Sequence, residues 1–594
     1  MISFAAPWAL AGLAAAVIPI LLHLFARREP PEVEFPAVRY LSETARVHQH
    51  RLNIQHLLLL LARTLLIIAL VLAAAGPTSP SGSAGSHAPT ALVLMFDNSL
   101  SSGATAGGVP VLDRLREVAR GVFDRATPAD VLWLITAEGV ARRGTGGELR
   151  RVVDSLSPSP RRLDLGETLG LARDLLAGER LPGEVIVVTD QQASALSPAR
   201  GEGPVTVVRP DEPLAPNAGV AAIATGPQPW TAAGGAVTVY LAGADTSGVP
   251  LALTVGTRRA RQALAAPDRP VTLPLQVAER GWVPLTVELA PDEVRGDDRW
   301  TTVLRVAPAA RVRWSDADRY LAAAFDVLRE SGRVVPGGDL TVGGLGPGPS
   351  LVLPPSDVAQ LGSLNRALAA RGVTWRYGAR SSTPARTDSS TTLLGSQALL
   401  RYHPLESAGS GEAGVLIRAG GIPWLVRTGD VVLAGSRFDP EWTSLPLSAE
   451  FVPFLDAMVN RVVRGEIAAI SAAPGDAVTL PDGTQRVGGP GGEVAVEGGA
   501  LFRPALTGLY FLLSGRDTLG TVSVNPDPRE SVLTRATDRA VEALWRGART
   551  VSLEQGARLA FTAAARRDLR PPLLWLALVL GVVEAGLAAW RRHQ

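Results

Sequence analysis

Three uninterrupted or nearly uninterrupted apolar runs dominate the hydropathy pattern. Residues 4–25 (FAAPWALAGLAAAVIPILLHLF) carry no ionised side chain, and at 1.5 Å per residue the run is long enough to cross a ~30 Å hydrocarbon layer. Residues 57–76 are broken only by Arg63, and residues 572–590 only by Glu584. The pattern predicts a transmembrane hairpin over 1–76 and a transmembrane helix over 572–590, three spans in all. Arg27 and Arg28 follow the first run instead of preceding it, the reverse of a cleaved leader's order.

Between the second and third runs the periodicity changes several times. After a small, polar, Pro-rich linker (77–89), residues 90–212 alternate continuous apolar stretches (ALVLMFD, DVLWLITAE, GEVIVVTD, PVTVVRP) with helically spaced ones (LDRLREVARGVFDRA, DLGETLGLARDLLAG). Such alternation predicts a doubly wound parallel sheet covered on both faces. Residues 217–306 switch to short alternating strands between Gly, Pro and Asp turns, the pattern of a β-sandwich. Residues 307–466 return to α/β alternation, 467–530 to Gly-rich β segments, and 531–571 read as a connector to the last span. The expected architecture is therefore α/β plus β: a multidomain membrane protein.

Charge then orients the chain. Arg27, Arg28, Arg39, Arg46 and Arg51 crowd the loop between the first two runs and the chain ends WRRHQ; short-loop arginines favour the cytoplasmic side, so 77–571 is expected outside. Arg566, Arg567 and Arg570 pull the other way, but they follow a domain of several hundred residues, where the rule is weak. Arg63 and Glu584 should lie at the same depth, and the cost of a lone charge there predicts that they pair. Residues 39–56 read as an interfacial helix; their histidines, His48, His50 and His56, have no Cys or close acid to make a metal site.

Composition mostly excludes. The 58 basic residues, none of them lysine, balance 56 acidic ones, which gives no case for nucleic acid as a partner. There is no cysteine, so disulfides, thiolate metal sites and thiol nucleophiles are absent. Of the seven histidines, only His87, in the linker, and His403, expected in a loop or at the surface, lie in the exported region, too few for most hydrolytic sites. Asp439, Glu441 and Trp442 read as structural or interfacial.

The hairpin with its Arg27-Arg28 loop, DNSLSSG (97–103), the strand end VVTDQQ (187–192), DPEWTSLPLSAEFVPFL (439–455) and VNPDPRESVL (524–533) resemble the BatA-like (aerotolerance regulator N-terminal) membrane proteins of bacteria. The resemblance implies a von Willebrand factor A-type domain over 90–212. It also implies a flavodoxin-like, glutamine amidotransferase-like domain over 307–466, here without a catalytic cysteine. It further implies an inner-membrane protein that is not an enzyme, with the bulk of the chain periplasmic. Its partners would be the lipid bilayer and other envelope proteins, among them other A-type proteins or a MoxR-type ATPase system. In such domains a metal-ion-dependent adhesion site holds Mg²⁺ or Ca²⁺, and a hard cation of this kind seeks several carboxylate, hydroxyl and water oxygens. Asp97, Ser99, Ser101 and Asp190 match the ligand positions. The threonine of the second loop has no counterpart: Leu163-Asp164 stands there, with Thr168 a turn later, and Gln191 stands where many relatives have glycine. The competing reading of the same residues is that the two aspartates accept backbone hydrogen bonds and the serines cap the following turn. The expected function is a membrane-anchored interaction or assembly protein, with an envelope hydrolase of unrecognised active site as the alternative.

Overall fold

The computed structural model describes residues 3–4, 6–25, 42–80, 87–243, 248–315, 318–388, 394–408, 414–463, 468–561 and 566–592. Arg27, Arg28 and Arg39, and the last residues of WRRHQ, lie outside these. The first apolar run forms a 3-10 segment, Pro7–Ala16, continuing into the helix Val17–Phe25. Ser42–Ala75 is one continuous helix. The interfacial helix expected over 39–56 is therefore not separate, because no glycine or proline interrupts the chain between 42 and 75. Among the described residues one helix is long and apolar enough to cross a membrane, Leu57–Ala75, with a shorter apolar helix at Trp8–Leu22. The terminal helix Arg570–Arg592 packs against Ser42–Ala75, and Arg63 Nε donates to Glu584 Oε1 at 2.5 Å, the predicted pair. Leu57, Leu61, Leu65, Trp575, Val579 and Val582 on these two helices are exposed, an apolar belt that water does not reward.

At the end of the helices Pro77–Pro80 pairs antiparallel with both Ser3–Phe4 and Arg566–Asp568. The chain thus enters and leaves the larger region through one small sheet. Gly76 makes the turn with φ of 61°, and a side chain there would collide with the Arg570 guanidinium.

The first α/β unit is a six-stranded sheet in the order 548–552, 205–209, 183–188, 91–96, 131–135, 141–144. The strands are parallel except for the last hairpin. In the central strand Ala91–Phe96 all six residues are buried, and successive side chains divide between the two faces as the strand period requires. Leu92, Leu94 and Phe96 pack beneath the helix Val111–Arg125. Val93 and Met95 pack with Leu165 and Leu169 of the helix Leu165–Ala177. The sixth strand, Ala548–Ser552, comes from the 531–571 segment that reads as a connector. This is a correction: polar residues and short helices masked a strand whose register, Ala548 to Val205 through Ser552 to Arg209, depends on a partner more than 300 residues away.

Everything between the fifth and sixth strands is therefore an insertion. Residues 218–306 form a sandwich of a three-stranded sheet (218–224, 235–243, 271–275) on a four-stranded one (258–265, 249–255, 281–289, 299–306), all antiparallel. Residues 310–434 carry a seven-stranded sheet, five strands parallel and the last two antiparallel. A five-stranded sheet spans 468–524.

Candidate metal centre

The strand Ala91–Phe96 delivers Asp97 to the C-terminal edge of the first sheet, where the parallel strand Gly183–Val188 delivers Thr189 and Asp190. This is where a doubly wound sheet places its ligand crevice. Asp97, Ser99, Ser101 and Asp190 all arrive there and all are buried, with at most 2% exposure. Asp97 Oδ1 accepts from the Ser99 hydroxyl at 2.6 Å and from its backbone N–H at 3.1 Å. The Ser99 and Ser101 hydroxyls lie 3.1 Å apart. Ser99 makes no capping bond to the short 3-10 turn that follows, so the plain capping role is not what fixes it. Asn98 holds the loop from behind, accepting from Ala137 N–H and donating to Ser157 O.

Two residues not foreseen from sequence complete the site. Thr189 donates its hydroxyl to Asp97 Oδ2 at 2.6 Å. Glu530, in the motif VNPDPRESVL, is fully buried and its Oε2 accepts from Ser101 N–H at 3.2 Å. The signal for Glu530 was an acidic residue inside a motif already singled out; what hid it was a separation of 429 positions from Ser101. Leu163 packs in the core, Asp164 caps the helix Leu165–Ala177 through Glu167 N–H at 3.0 Å, and Thr168 donates to its own helix at Asp164 O. The second loop therefore contributes no oxygen to the centre.

The 525–538 segment that carries Glu530 is held by many backbone-directed bonds. Gln192 Nε2 reaches the carbonyls of Arg529, Glu530 and Val532. Arg535 donates to the carbonyls of Asp190, Asp211 and Glu212. Gln191 Nε2 reaches Ala536 O and Asp538 Oδ1. Leu100, Ala104, Val294 of the sandwich and Leu533 form an apolar cover.

Three buried carboxylates here feel one another's charge. Burial pushes Asp97 upward, opposed by its bonds from Ser99 and Thr189. Burial first, then the Asp97 charge, pushes Asp190 to about 7. Burial, then the Asp97 and Asp190 charges, pushes Glu530 to about 8. Asp190 Oδ2 and Glu530 Oε1 have no hydrogen-bond partner, a costly state for buried anions. Acidic and hydroxyl oxygens with unused lone pairs are the donor set a hard divalent cation requires. Asp97, Ser99, Ser101, Asp190 and Glu530 supply oxygens of that kind.

The other candidates resolve differently. His403 was expected in a loop or at the surface; it is buried, with Nδ1 bonded to Gly378 O at 2.9 Å and its ring stacked on Trp442. Burial lowers its pKa, and its Nδ1 is taken up by a backbone carbonyl. Asp439 accepts from Glu441 N–H, Glu441 pairs with Arg401, and Trp442 is buried. His87 stacks on Phe561 at 4.0 Å.

Residues 1–77 match the family model of the aerotolerance regulator N-terminal (BatA) region. No curated protein matches the chain. The match and the apolar helix Leu57–Ala75 define a membrane-associated chain with a BatA-type N-terminal region.

Proposed function

We propose that this is a bacterial inner-membrane protein with three spans and its bulk in the periplasm, working as an interaction or assembly protein through an A-type domain whose adhesion site is closed by an internal ligand. The observation that carries the reading is Glu530. Its carboxylate accepts from Ser101 N–H and is fully buried, in a segment bonded to Gln192 and Asp190; on this reading it stands in for a partner's acidic side chain. Asp97, Ser99, Ser101 and Asp190 would hold Mg²⁺ or Ca²⁺. The cation would neutralise the carboxylates and offer a position that either Glu530 or a partner carboxylate can take. A partner, in the envelope or from another A-type protein or MoxR-type system as the resemblance implies, would have to displace this segment. A non-catalytic role is supported by the missing cysteine and by the burial of His403, whose Nδ1 is bonded to the backbone at Gly378 O.

Affinity purification of the full chain from native membranes, with Glu530→Ala and Asp97→Ala in parallel, tests this. Glu530→Ala should enrich a protein set that Asp97→Ala loses. Identical sets from all three would sink the internal-ligand reading.

A further inference from the structure

A second carboxylate cluster lies in the sandwich loop 290–298, over the first site but built from different residues. Oxygens of Asp292, Asp297 and Asp298 all lie within 4.8 Å of one another. Oxygens sharing one Ca²⁺ at ~2.4 Å can be no farther apart than about twice that distance, so one ion can reach all three. Asp292 is anchored as a fixed ligand would be, accepting from Val294 N–H at 2.9 Å and Ala218 N–H at 3.0 Å. Asp297 is held on one side by Asn217 Nδ2 at 2.8 Å. The opposite oxygens are bare. Asp297 Oδ1 and Asp298 Oδ1 have no partner, although the two residues are only 2% and 7% exposed. Asn217 Oδ1, also buried, has none either. Gly219 leaves space beside them: a Cβ there would lie 2.3 Å from Asp297 Oδ2 and 2.2 Å from Ser531 Oγ.

We infer that Asp292, Asp297 and Asp298 form a second divalent-cation site, selective for Ca²⁺ over Mg²⁺. The selectivity follows from burial. Mg²⁺ keeps several of its waters and demands near-octahedral geometry, whereas Ca²⁺ accepts an irregular shell of protein oxygens. Without a cation, adjacent buried aspartates face one another with Arg295 as the cation whose field reaches Asp298, an arrangement that costs stability unless it is neutralised. The site has a mechanical consequence. Asn217, which grips Asp297, also donates to Ser531 O at 3.2 Å, one residue from Glu530. A bound ion would therefore fasten the sandwich to the segment that closes the first site.

Calorimetric titration of the full chain in detergent separates the two sites. In an Asp97→Ala background, which disables the first site, one equivalent of Ca²⁺ should still bind, at least about tenfold more tightly than Mg²⁺. Adding Asp298→Asn, or separately the near-isosteric Asp297→Asn, should abolish that binding. Loss of all Ca²⁺ binding in Asp97→Ala alone, or its survival in both double variants, overturns the second site. The Asn variants also discriminate by melting: a cation site predicts a Ca²⁺-dependent rise in Tm that they lose. If the acids merely share protons, the variants would raise Tm equally in chelator and in Ca²⁺.

Discussion

Gln191 follows the two acceptor positions Thr189 and Asp190 with φ of 61°, a left-handed conformation that costs an L-residue ~1–2 kcal/mol and glycine little. Its amide offsets that cost by binding Ala536 O and Asp538 Oδ1. Gln191→Ala keeps the strain and loses both bonds, and should destabilise the chain by ~1–2 kcal/mol; Gln191→Gly should cost visibly less. Equal losses in a urea titration would show that the strain is not real. Glu530 supplies a second test through pH. Its folded pKa, about 8, stands above its ordinary value of 4.5, so the folded state holds a proton the unfolded chain has released. Its stabilising contribution is complete below about 4.5 and is lost as pH rises through about 8. In chelator, Tm should therefore fall between pH 5 and 8, and Glu530→Gln should remove its share of that slope, leaving the part due to Asp190, Asp297 and Asp298, which burial likewise pushes up to about 7, 6 and 7. At this scale the sequence revealed the residues that a single loop presents in order, Asp97, Ser99 and Ser101, together with strand-ending Asp190. Leu163 too was legible as a residue that offers no ligand, since its side chain has no oxygen. Thr189 and Glu530 were not, because their roles come from strand register and from a contact across most of the chain.

Among the elements, the long apolar helices were the most legible, since a long run with at most one charge has few alternative uses. The Arg63–Glu584 pair follows from the same logic: one helix ends at the surface where the other begins, and each carries one charge at a matching depth. Arg63→Ala or Glu584→Ala should each weaken helix association by about 1–3 kcal/mol. The exchanged pair Arg63→Glu with Glu584→Arg should recover most of it, as read by cross-linking between the two helices; a swap no better than either single change would dismiss the pairing. Short strands were harder. Ala548–Ser552 holds two apolar positions in five, Ala548 and Val551, of which only Val551 is buried, and its other apolar support arrives from Val541, Trp545 and Phe561 on either side. A period-2 pattern cannot emerge from so little, and only the sheet that awaits it defines it as a strand.

For the whole molecule the consequence is that the first α/β unit is closed by the last segment before the terminal helix. The sandwich, the second α/β unit and the small β unit hang from it as one insertion between its fifth and sixth strands. A fragment ending near residue 212 would leave Val205–Arg209 as an open edge, a liability for aggregation. It would also strip the cover from the apolar faces now buried by Val541, Trp545, Val551 and Phe561. At ~1.5–3 kcal/mol for each large side chain, the loss is comparable to the entire stability of an ordinary domain, ~5–15 kcal/mol. Residues 90–212 alone should therefore lack a cooperative thermal transition, and should bind no cation even at millimolar Mg²⁺. Joining 526–561 to the same fragment through a flexible Gly/Ser linker restores the sixth strand, Trp545 and Glu530 together. That chimera should melt cooperatively and bind Mg²⁺, and replacing Glu530 by Gln within it should weaken the binding without removing the transition. If the short fragment folds and binds as well as the chimera, the C-terminal segment is only packed against a finished domain and Glu530 is no part of its metal centre.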